Sequence, residues 1–371
     1  MKKKKLKRRK KSTAETAREV NKSIRRRKPK NRSTVEFLSS GSTTSNLALS
    51  GKGPSGGWAR ARVGNIVGDG SSGKTLLALE LMFWCYQNIK NISSSLFPKV
   101  KKIELVYNNR EGVMDFPIAK MYGADFEKSV KWINSRTIEK MGRDFLKRLE
   151  RLGKGEFMLY IADSWDAYQS DAGDKRMKES IKKDEEIKGS YNTEKQLWAS
   201  KDFFPFCSGE LENNKKDATL LIISQVRTKI GITFGKKTYR AGGKALDFYT
   251  HQVAWIREVE KLKKTKKTHS RVYGIRSELK VSRSKVAKPF RESQFNILYD
   301  YGLDDISSMI YFLWGKKQIK YDNKEFKTHK AFIKYIEKNN FETRLALETE
   351  EAWQEIERRF EKDVEKRKKR F

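Results

Sequence analysis

Gly68-Asp69-Gly70-Ser71-Ser72-Gly73-Lys74-Thr75 has the residue types and spacing to hold a triphosphate. In the pattern G-x-x-x-x-G-K-T, glycines let backbone N–H groups turn inward onto phosphate oxygens. Lys74 is placed to reach the β- and γ-phosphates, and the Thr75 hydroxyl to ligate Mg²⁺. The pattern follows a strand-like run at Arg62–Val67 and opens a helical one at Leu76–Tyr86, so a helix N-terminus adds its positive potential. A second candidate is Asp163, delivered at the tip of the apolar run Phe157–Ala162. A carboxylate fixed on rigid backbone near the γ-phosphate is what a Mg²⁺-bearing nucleoside triphosphatase requires. Strands often end in Asp, so Asp163 gains meaning only from the phosphate loop upstream.

Positioning these groups takes a sheet whose strands end on one side. Ile103–Tyr107, Phe157–Ala162 and Thr219–Ile223 read as further strands, separated by helix-length stretches. That alternation predicts an α/β fold with a mostly parallel sheet flanked by helices, whose ligands bind beyond the carboxyl ends of the strands. Gly41–Gly51 reads as a short helix between turns. The stretch Asp171–Lys216 is long, charged and poor in apolar residues apart from Phe203-Phe204-Pro205-Phe206, and part of it is expected to be a mobile loop. Phe203, Phe204 and Phe206 are placed either to stack on bases or to cap the core. Lys261–Thr268 reads as a solvated hairpin turn. Helical spacing in Phe332–Ile336 and Trp353–Phe360 predicts a small α-rich C-terminal domain with a basic end. The expected division is a basic tail over 1–32, a core over 33–302 and the C-terminal domain over 303–371.

Composition narrows the partners. The 371 residues carry 82 Lys+Arg against 47 Asp+Glu, a formal net charge of +35, which favours a polyanion. Residues 1–32 alone hold 17 basic side chains against Glu15 and Glu19, and they read first as a partly disordered, non-specific nucleic-acid-binding tail, with a solubilising tail and a nuclear-import signal as the alternatives. No apolar run approaches the length of a bilayer crossing, and the N-terminus lacks a signal peptide's apolar core, so no membrane role is expected. Cys85 and Cys207 sit in apolar surroundings and read as buried thiols of a reducing cytoplasm. His251, His269 and His329 show no metal-ligand spacing.

A longer constellation makes the reading specific. Ser224-Gln225-Val226-Arg227-Thr228-Lys229-Ile230-Gly231-Ile232-Thr233-Phe234-Gly235, continuing to Gly242-Gly243-Lys244-Ala245-Leu246-Asp247-Phe248-Tyr249, resembles the mobile DNA-binding loop and following helix of bacterial RecA-type recombinases. Tyr107–Asp115, including Arg110-Glu111-Gly112, resembles the segment in which that family carries its catalytic glutamate. Lys280–Phe290, with Arg283-Ser284-Lys285, resembles a late strand and turn at the family's subunit interface. Ser40-Gly41-Ser42, Asn46–Leu49 and Phe295–Gly302 extend the resemblance over about residues 33–302.

The resemblance implies an ATP- and Mg²⁺-dependent recombinase that forms helical homo-oligomeric filaments on single-stranded DNA, pairs them with double-stranded DNA and exchanges strands. It implies roles residue by residue. Glu111 orients the attacking water; alone it would read as an exposed surface carboxylate. Gln225 senses the γ-phosphate and couples nucleotide state to loop order, a switch of the order–disorder kind. Arg283 and Lys285, two apart on one strand face, reach the nucleotide of the adjacent subunit as arginine fingers do. Arg227 and Lys229 neutralise DNA phosphates, Ile230 and Phe234 offer apolar surface to bases, and Gly242 and Gly243 give the loop its freedom. The competing reading of that loop tucks Ile230 and Phe234 into the core. Ser224 stands where the family commonly has asparagine, and Ile118 lies near an expected adenine-stacking aromatic. The basic C-terminal end replaces a common acidic tail. These departures resemble phage-encoded members more than housekeeping ones. A ring helicase or packaging motor of the same fold, and a non-catalytic DNA-coating protein, are the alternatives.

Overall fold

The computed structural model describes residues 35–112, 114, 117–184, 191–211, 214–228, 238–240 and 243–363. Two short strands, β1 (Phe37–Leu38) and β2 (Trp58–Ala59), pair antiparallel ahead of the main sheet. That sheet contains β3 (Val63–Gly68), β4 (Lys102–Asn109), β5 (Val130–Ile133), β6 (Glu156–Asp163), β7 (Ala218–Thr228), β8 (Thr238–Arg240), β9 (Gln252–Lys266), β10 (His269–Ser284), β11 (Glu292–Leu298) and β12 (Gly302–Asp304). Their spatial order is β12-β11-β10-β9-β3-β7-β6-β4-β5, with β8 paired to β7. From β9 to β5 every neighbouring pair is parallel, while β8 and β10–β12 run antiparallel to their neighbours. The expected α/β architecture with a mostly parallel sheet is therefore the one observed.

The central strands read as nearly continuous apolar runs because both faces of the sheet are covered. Along β6 the side chains alternate as strand geometry demands. Phe157, Leu159 and Ile161 enter the core under the helix Lys74–Asn88, and Met158, Tyr160 and Ala162 enter the core on the opposite face. The first core takes Leu77, Leu81, Met82 and Cys85 from the helix Lys74–Asn88. The second takes Met141, Phe145 and Leu149 from the helix Ile138–Arg151, whose N-cap Thr137 accepts a hydrogen bond from the Lys140 amide at 3.3 Å. Cys207 is buried in the second core, so the two thiols lie on opposite faces of the sheet.

Two charged stretches are more regular than their composition suggested. The stretch after Asp171 is largely helical in its described residues: helices span Asp171–Lys183, Tyr191–Trp198 and Phe204–Leu211, with a π-turn at Ala199–Phe203. The first of these buries almost nothing and is held by polar contacts, so its composition hid it. Ser170 caps its N-terminus, and Arg176 forks onto Glu194 with both hydrogen bonds at 2.8 Å. Phe203 and Phe204 are fully buried, with Phe204 stacked on Trp165 and Tyr249, while Phe206 remains exposed. The lysine-rich Lys261–Lys266 is strand rather than turn. Pairing of β9 with β10 continues to Lys266↔His269, and the chain reverses at Lys267, where φ is 53°.

The C-terminal segment has its own small core, in which Met309, Ile310, Ile319, Phe332, Ile336 and Leu345 are buried. It combines helices Asp305–Trp314, His329–Asn339 and Glu342–Asp363 with a hairpin of β13 (Ile319–Tyr321) and β14 (Lys324–Phe326). The last helix packs back on the main core through the Arg291–Glu357 ion pair at 2.9 Å and a hydrogen bond from Gln354 to the Gly51 carbonyl at 2.6 Å. The tail 1–32 and residues 364–371 lie outside the described residues. Among the described residues no helix is long and apolar enough to cross a membrane.

Asp305, at the start of the helix Asp305–Trp314, ties the two parts together and gives a testable pH dependence. Its carboxylate accepts from the Thr43 amide and the Thr43 hydroxyl, each at 2.7 Å. Enclosure away from water is the main cause of its pKa being raised to about 6. The native state thus holds a proton more tightly than the unfolded chain does, so this group's contribution to stability falls as pH rises from about 4 to about 6 and is level above. In Asp305→Asn the amide oxygen can accept from the Thr43 N–H while its NH₂ donates to the Thr43 hydroxyl. After allowance for the lost attraction between carboxylate and helix N-terminus, the variant should be more stable at pH 7.5 by about 1–2 kcal/mol. At pH 4 the gain should vanish. Denaturant melts at the two pH values measure both quantities, and equal effects at both would contradict the assignment.

Candidate nucleotide site and its coupled loop

The sheet register gathers the sequence-predicted residues at one end. Gly68, the last residue of β3, lies opposite Gln225 on β7, and Asn109, the last of β4, lies opposite Asp163, the last of β6. Between β3 and the helix Lys74–Asn88 the chain turns through Ser71 and Gly73, at φ 61° and 95°. At Gly73 the positive φ is what requires glycine; a Cβ there would also press on the Ile297 Cδ1 methyl at 2.4 Å, the end of a side chain that could shift. Asp69, Gly70 and Ser71 are exposed at the rim, whereas Ser72 is buried and its hydroxyl donates to the Asp69 carbonyl at 2.8 Å. Lys74 Nζ donates to the same carbonyl. Burial lowers the Lys74 pKa, opposed by the carboxylates of Glu111, Asp163, Asp69 and Asp166.

Thr75 and Asp163 meet directly. The Thr75 hydroxyl donates to Asp163 Oδ2 at 3.1 Å, and the buried Tyr107 hydroxyl donates to the same oxygen at 2.5 Å. Asp163 Oδ1 is buried with no hydrogen-bond partner among the described residues. Burial is the main cause of the Asp163 pKa being raised to about 6, with Glu111 adding repulsion and Tyr107, Thr75 and Lys74 opposing the rise. An unpartnered carboxylate oxygen beside a hydroxyl, both hard oxygen donors at the mouth of a phosphate loop, fits Mg²⁺.

Glu111 and Gln225, 114 positions apart in sequence, touch: the Gln225 side-chain amide donates to Glu111 Oε1. Glu111 sits on a turn held by Asn109, whose Oδ1 accepts from the Glu111 amide at 3.0 Å and whose side-chain N–H donates to the Gly112 carbonyl at 2.6 Å. The Gln225 backbone N–H donates to Asp166 Oδ2 at 2.6 Å. β7 then leaves the sheet and pairs with β8 through Val226↔Arg240, Arg227↔Tyr239 and Thr228↔Thr238, which places Arg227 at the root of a hairpin. Lys229, Ile230, Phe234 and Gly242 lie outside the described residues; Gly243 opens the helix Gly243–Tyr249.

Arg283 and Lys285 are not with this group. Arg283 pairs with Val253, which pairs with Asn65, so it lies toward the end of the sheet away from the phosphate loop. The expected shared strand face is also modified. β10 ends at Ser284; Lys285, one residue further, donates its backbone N–H to the His251 carbonyl at 2.8 Å and its Nζ to the Phe248 carbonyl at 2.7 Å.

The family model described as the RecA N-terminal domain matches residues 207–304, from the last helix before β7 to the end of β12. Proteins named "Protein RecA" are similar over a longer span. That of Arthrospira platensis is 29% identical over 281 residues, covering 75% of this chain and 66% of the relative. That of Synechococcus sp. (strain CC9605) is 28% identical over 292 residues, covering 78% and 67%. The chain is thus similar to RecA proteins over about three quarters of its length, and to the RecA N-terminal domain over residues 207–304. It spans about two thirds of the length of these curated relatives.

Several residues of this candidate site were not legible in sequence. Tyr107 and Asn109 come from β4 and look like ordinary strand residues until the register sets them beside Asp163. Asp166 follows Asp163 by three residues, a spacing that carries no signal by itself. Arg240 and Asn65 are the least expected. The Arg240 side chain is 4% exposed and spans from Asp247, at 2.7 Å, to the Asn65 side-chain oxygen in the middle of β3. An arginine in a basic loop reads as a DNA contact, and only the packing reveals that this one faces inward.

Proposed function

We propose that the chain is an ATP- and Mg²⁺-dependent recombinase that assembles on single-stranded DNA as a helical filament, pairs it with homologous double-stranded DNA and promotes strand exchange. The observation that carries this reading is the hydrogen bond between Gln225, at the root of the cationic loop, and Glu111, beside Lys74 and Asp163. A motor or helicase needs a phosphate loop and a strand-end aspartate; a loop whose root touches the water-orienting carboxylate adds a path from nucleotide to DNA. Similarity to RecA proteins supports the same conclusion, and the presence of Lys74, Thr75, Glu111 and Asp163 in one cluster argues against a non-catalytic coat protein.

In this reading Lys74 and the N–H groups of Gly70–Thr75 bind the phosphates, while Thr75 and Asp163 hold Mg²⁺, which when bound neutralises charge on the β- and γ-oxygens. Glu111 accepts a proton-bearing contact from the attacking water and orients it. The Gln225 amide exchanges its Glu111 partner for a γ-phosphate oxygen, and the hairpin of β7 and β8 follows its root. Arg227, with Lys229, supplies phosphate contacts, and the formal charge of +35 supplies long-range attraction.

The test is ATP turnover by the purified protein with and without a single-stranded oligonucleotide. Turnover should rise by more than about tenfold on adding the oligonucleotide and should fall again steeply with added salt. A rate indifferent to DNA refutes the coupling. Electron microscopy of the same sample should show helical filaments; closed rings would favour the helicase reading.

A further inference from the structure

Gln225 is bracketed by one buried arginine. On its C-terminal side, Val226 pairs directly with Arg240 across the hairpin. On its N-terminal side, the Ser224 hydroxyl accepts from the Asn65 side-chain amide at 3.0 Å, and that same amide donates to the Ile222 carbonyl at 2.9 Å. The Asn65 side-chain oxygen in turn accepts from Arg240 Nη1. Arg240 Nη2 ion-pairs with Asp247 on the helix Gly243–Tyr249 at 2.7 Å. A single guanidinium thus touches β3, which ends in the phosphate loop, and the helix that follows the hairpin, while its backbone pairs with β7.

Arginine suits such a junction because its planar fork serves two partners in fixed geometry, which a lysine cannot do. A buried guanidinium is also intolerant of losing a partner, since the orphaned charge is costly to keep from water. The junction therefore favours two arrangements over a continuum: latched, with β8 held against β3, or released, with Arg240 in solvent. Strand β3 sits next to β7 in the sheet, so release frees both flanks of Gln225 together.

We propose that Arg240 is a positioning residue, latching the cationic hairpin to the phosphate-loop strand so that DNA engagement of the hairpin sets where Gln225 stands against Glu111. This rests on the recombinase reading and adds to it the element through which loop and nucleotide communicate. The latch partners are Asn65 and Asp247, and Ser224 is the relay to the strand that carries Gln225.

The experiment compares Arg240→Met, Arg240→Lys and Asn65→Leu with wild type by two readouts. One is the ratio of ATP turnover with single-stranded oligonucleotide to turnover without it. The other is the dissociation constant for a non-hydrolysable ATP analogue with Mg²⁺. Arg240→Met and Asn65→Leu should lower the ratio by about tenfold, a coupling loss of ordinary allosteric size. Their analogue affinity should stay within about twofold of wild type, as expected when a positioning group acts on turnover rather than binding. Arg240→Lys, reaching one partner but not both, should fall between. A wild-type ratio in Asn65→Leu or in a folded Arg240→Met overturns the latch. So does a parallel collapse of analogue affinity, which would assign Arg240 to the nucleotide pocket. If Arg240→Met does not fold, Asn65→Leu and Arg240→Lys decide the matter. A wild-type protein that ignores the oligonucleotide refutes the recombinase reading itself, an outcome distinct from variants that behave as wild type.

Discussion

Lys74→Ala should abolish nucleotide-driven assembly and reduce ATP turnover by at least about a thousandfold, on the scale of losing a principal charge contact to the transferring phosphoryl group. The electrostatics of the site explain why the effect is so large. Lys74 lies in the field of Glu111, Asp163, Asp69 and Asp166, with burial opposing its charge. Removing it leaves those carboxylates facing a triphosphate with no ammonium between them, so the variant presents a repulsive site. Lys74→Arg retains the charge, but the guanidinium is wider than the ammonium that now reaches the Asp69 carbonyl, and it should recover only part of the activity. Nucleotide binding by calorimetry and filament formation with single-stranded DNA measure the two arms. Persistence of nucleotide-stimulated filaments in Lys74→Ala would remove the phosphate loop from the mechanism.

What the sequence revealed and what it concealed divide along a physical line. Contiguous signals survived translation into structure: β3, the phosphate loop and the helix Lys74–Asn88 lie within a residue or two of where an apolar run, glycines and helical spacing put them. Asp163 closes β6, as an apolar run ending in a carboxylate suggested. These are local codes, written in period and backbone freedom. The contact between Glu111 and Gln225 is different in kind, because it depends on the lateral order β3-β7-β6-β4, which no local pattern specifies. Family resemblance supplied those two residues, and the register then brought them together. Where charge density dominated, the sequence said little about regular structure. Asp171–Lys183 and Lys261–Lys266 are regular elements whose stability comes from caps, forks and cross-strand pairing rather than from a buried stripe, so hydrophobic periodicity had nothing to report. Arg240 illustrates the same point from the other side: a buried arginine and an exposed one are the same letter.

Arg283→Ala should lose ATP turnover by about 10³–10⁵-fold, the range spanned by arginine fingers, while a dilute, unassembled protein keeps its affinity for nucleotide. The geometry supports separating these effects. Arg283 is level with Asn65, three residues before Gly68, which at about 3.3 Å per residue puts it roughly 10 Å back along the sheet from the phosphate loop of its own chain. Its backbone is fixed by pairing with Val253, so it cannot swing to that loop without dismantling β10. In the recombinase reading a group so held acts on the nucleotide of an adjacent copy, with Lys285 one residue beyond the end of β10. Mixing the two inactive variants makes this decisive. Lys74→Ala does not assemble alone, but nucleotide held by the intact phosphate loops of Arg283→Ala subunits should carry it into mixed filaments, in which an intact phosphate loop faces an intact Arg283, so the mixture should hydrolyse ATP although neither component does. Mixed filaments, confirmed by electron microscopy to contain both variants, whose turnover never exceeds the sum of the components would show that Arg283 serves its own chain, and the requirement for assembly would have to be sought elsewhere.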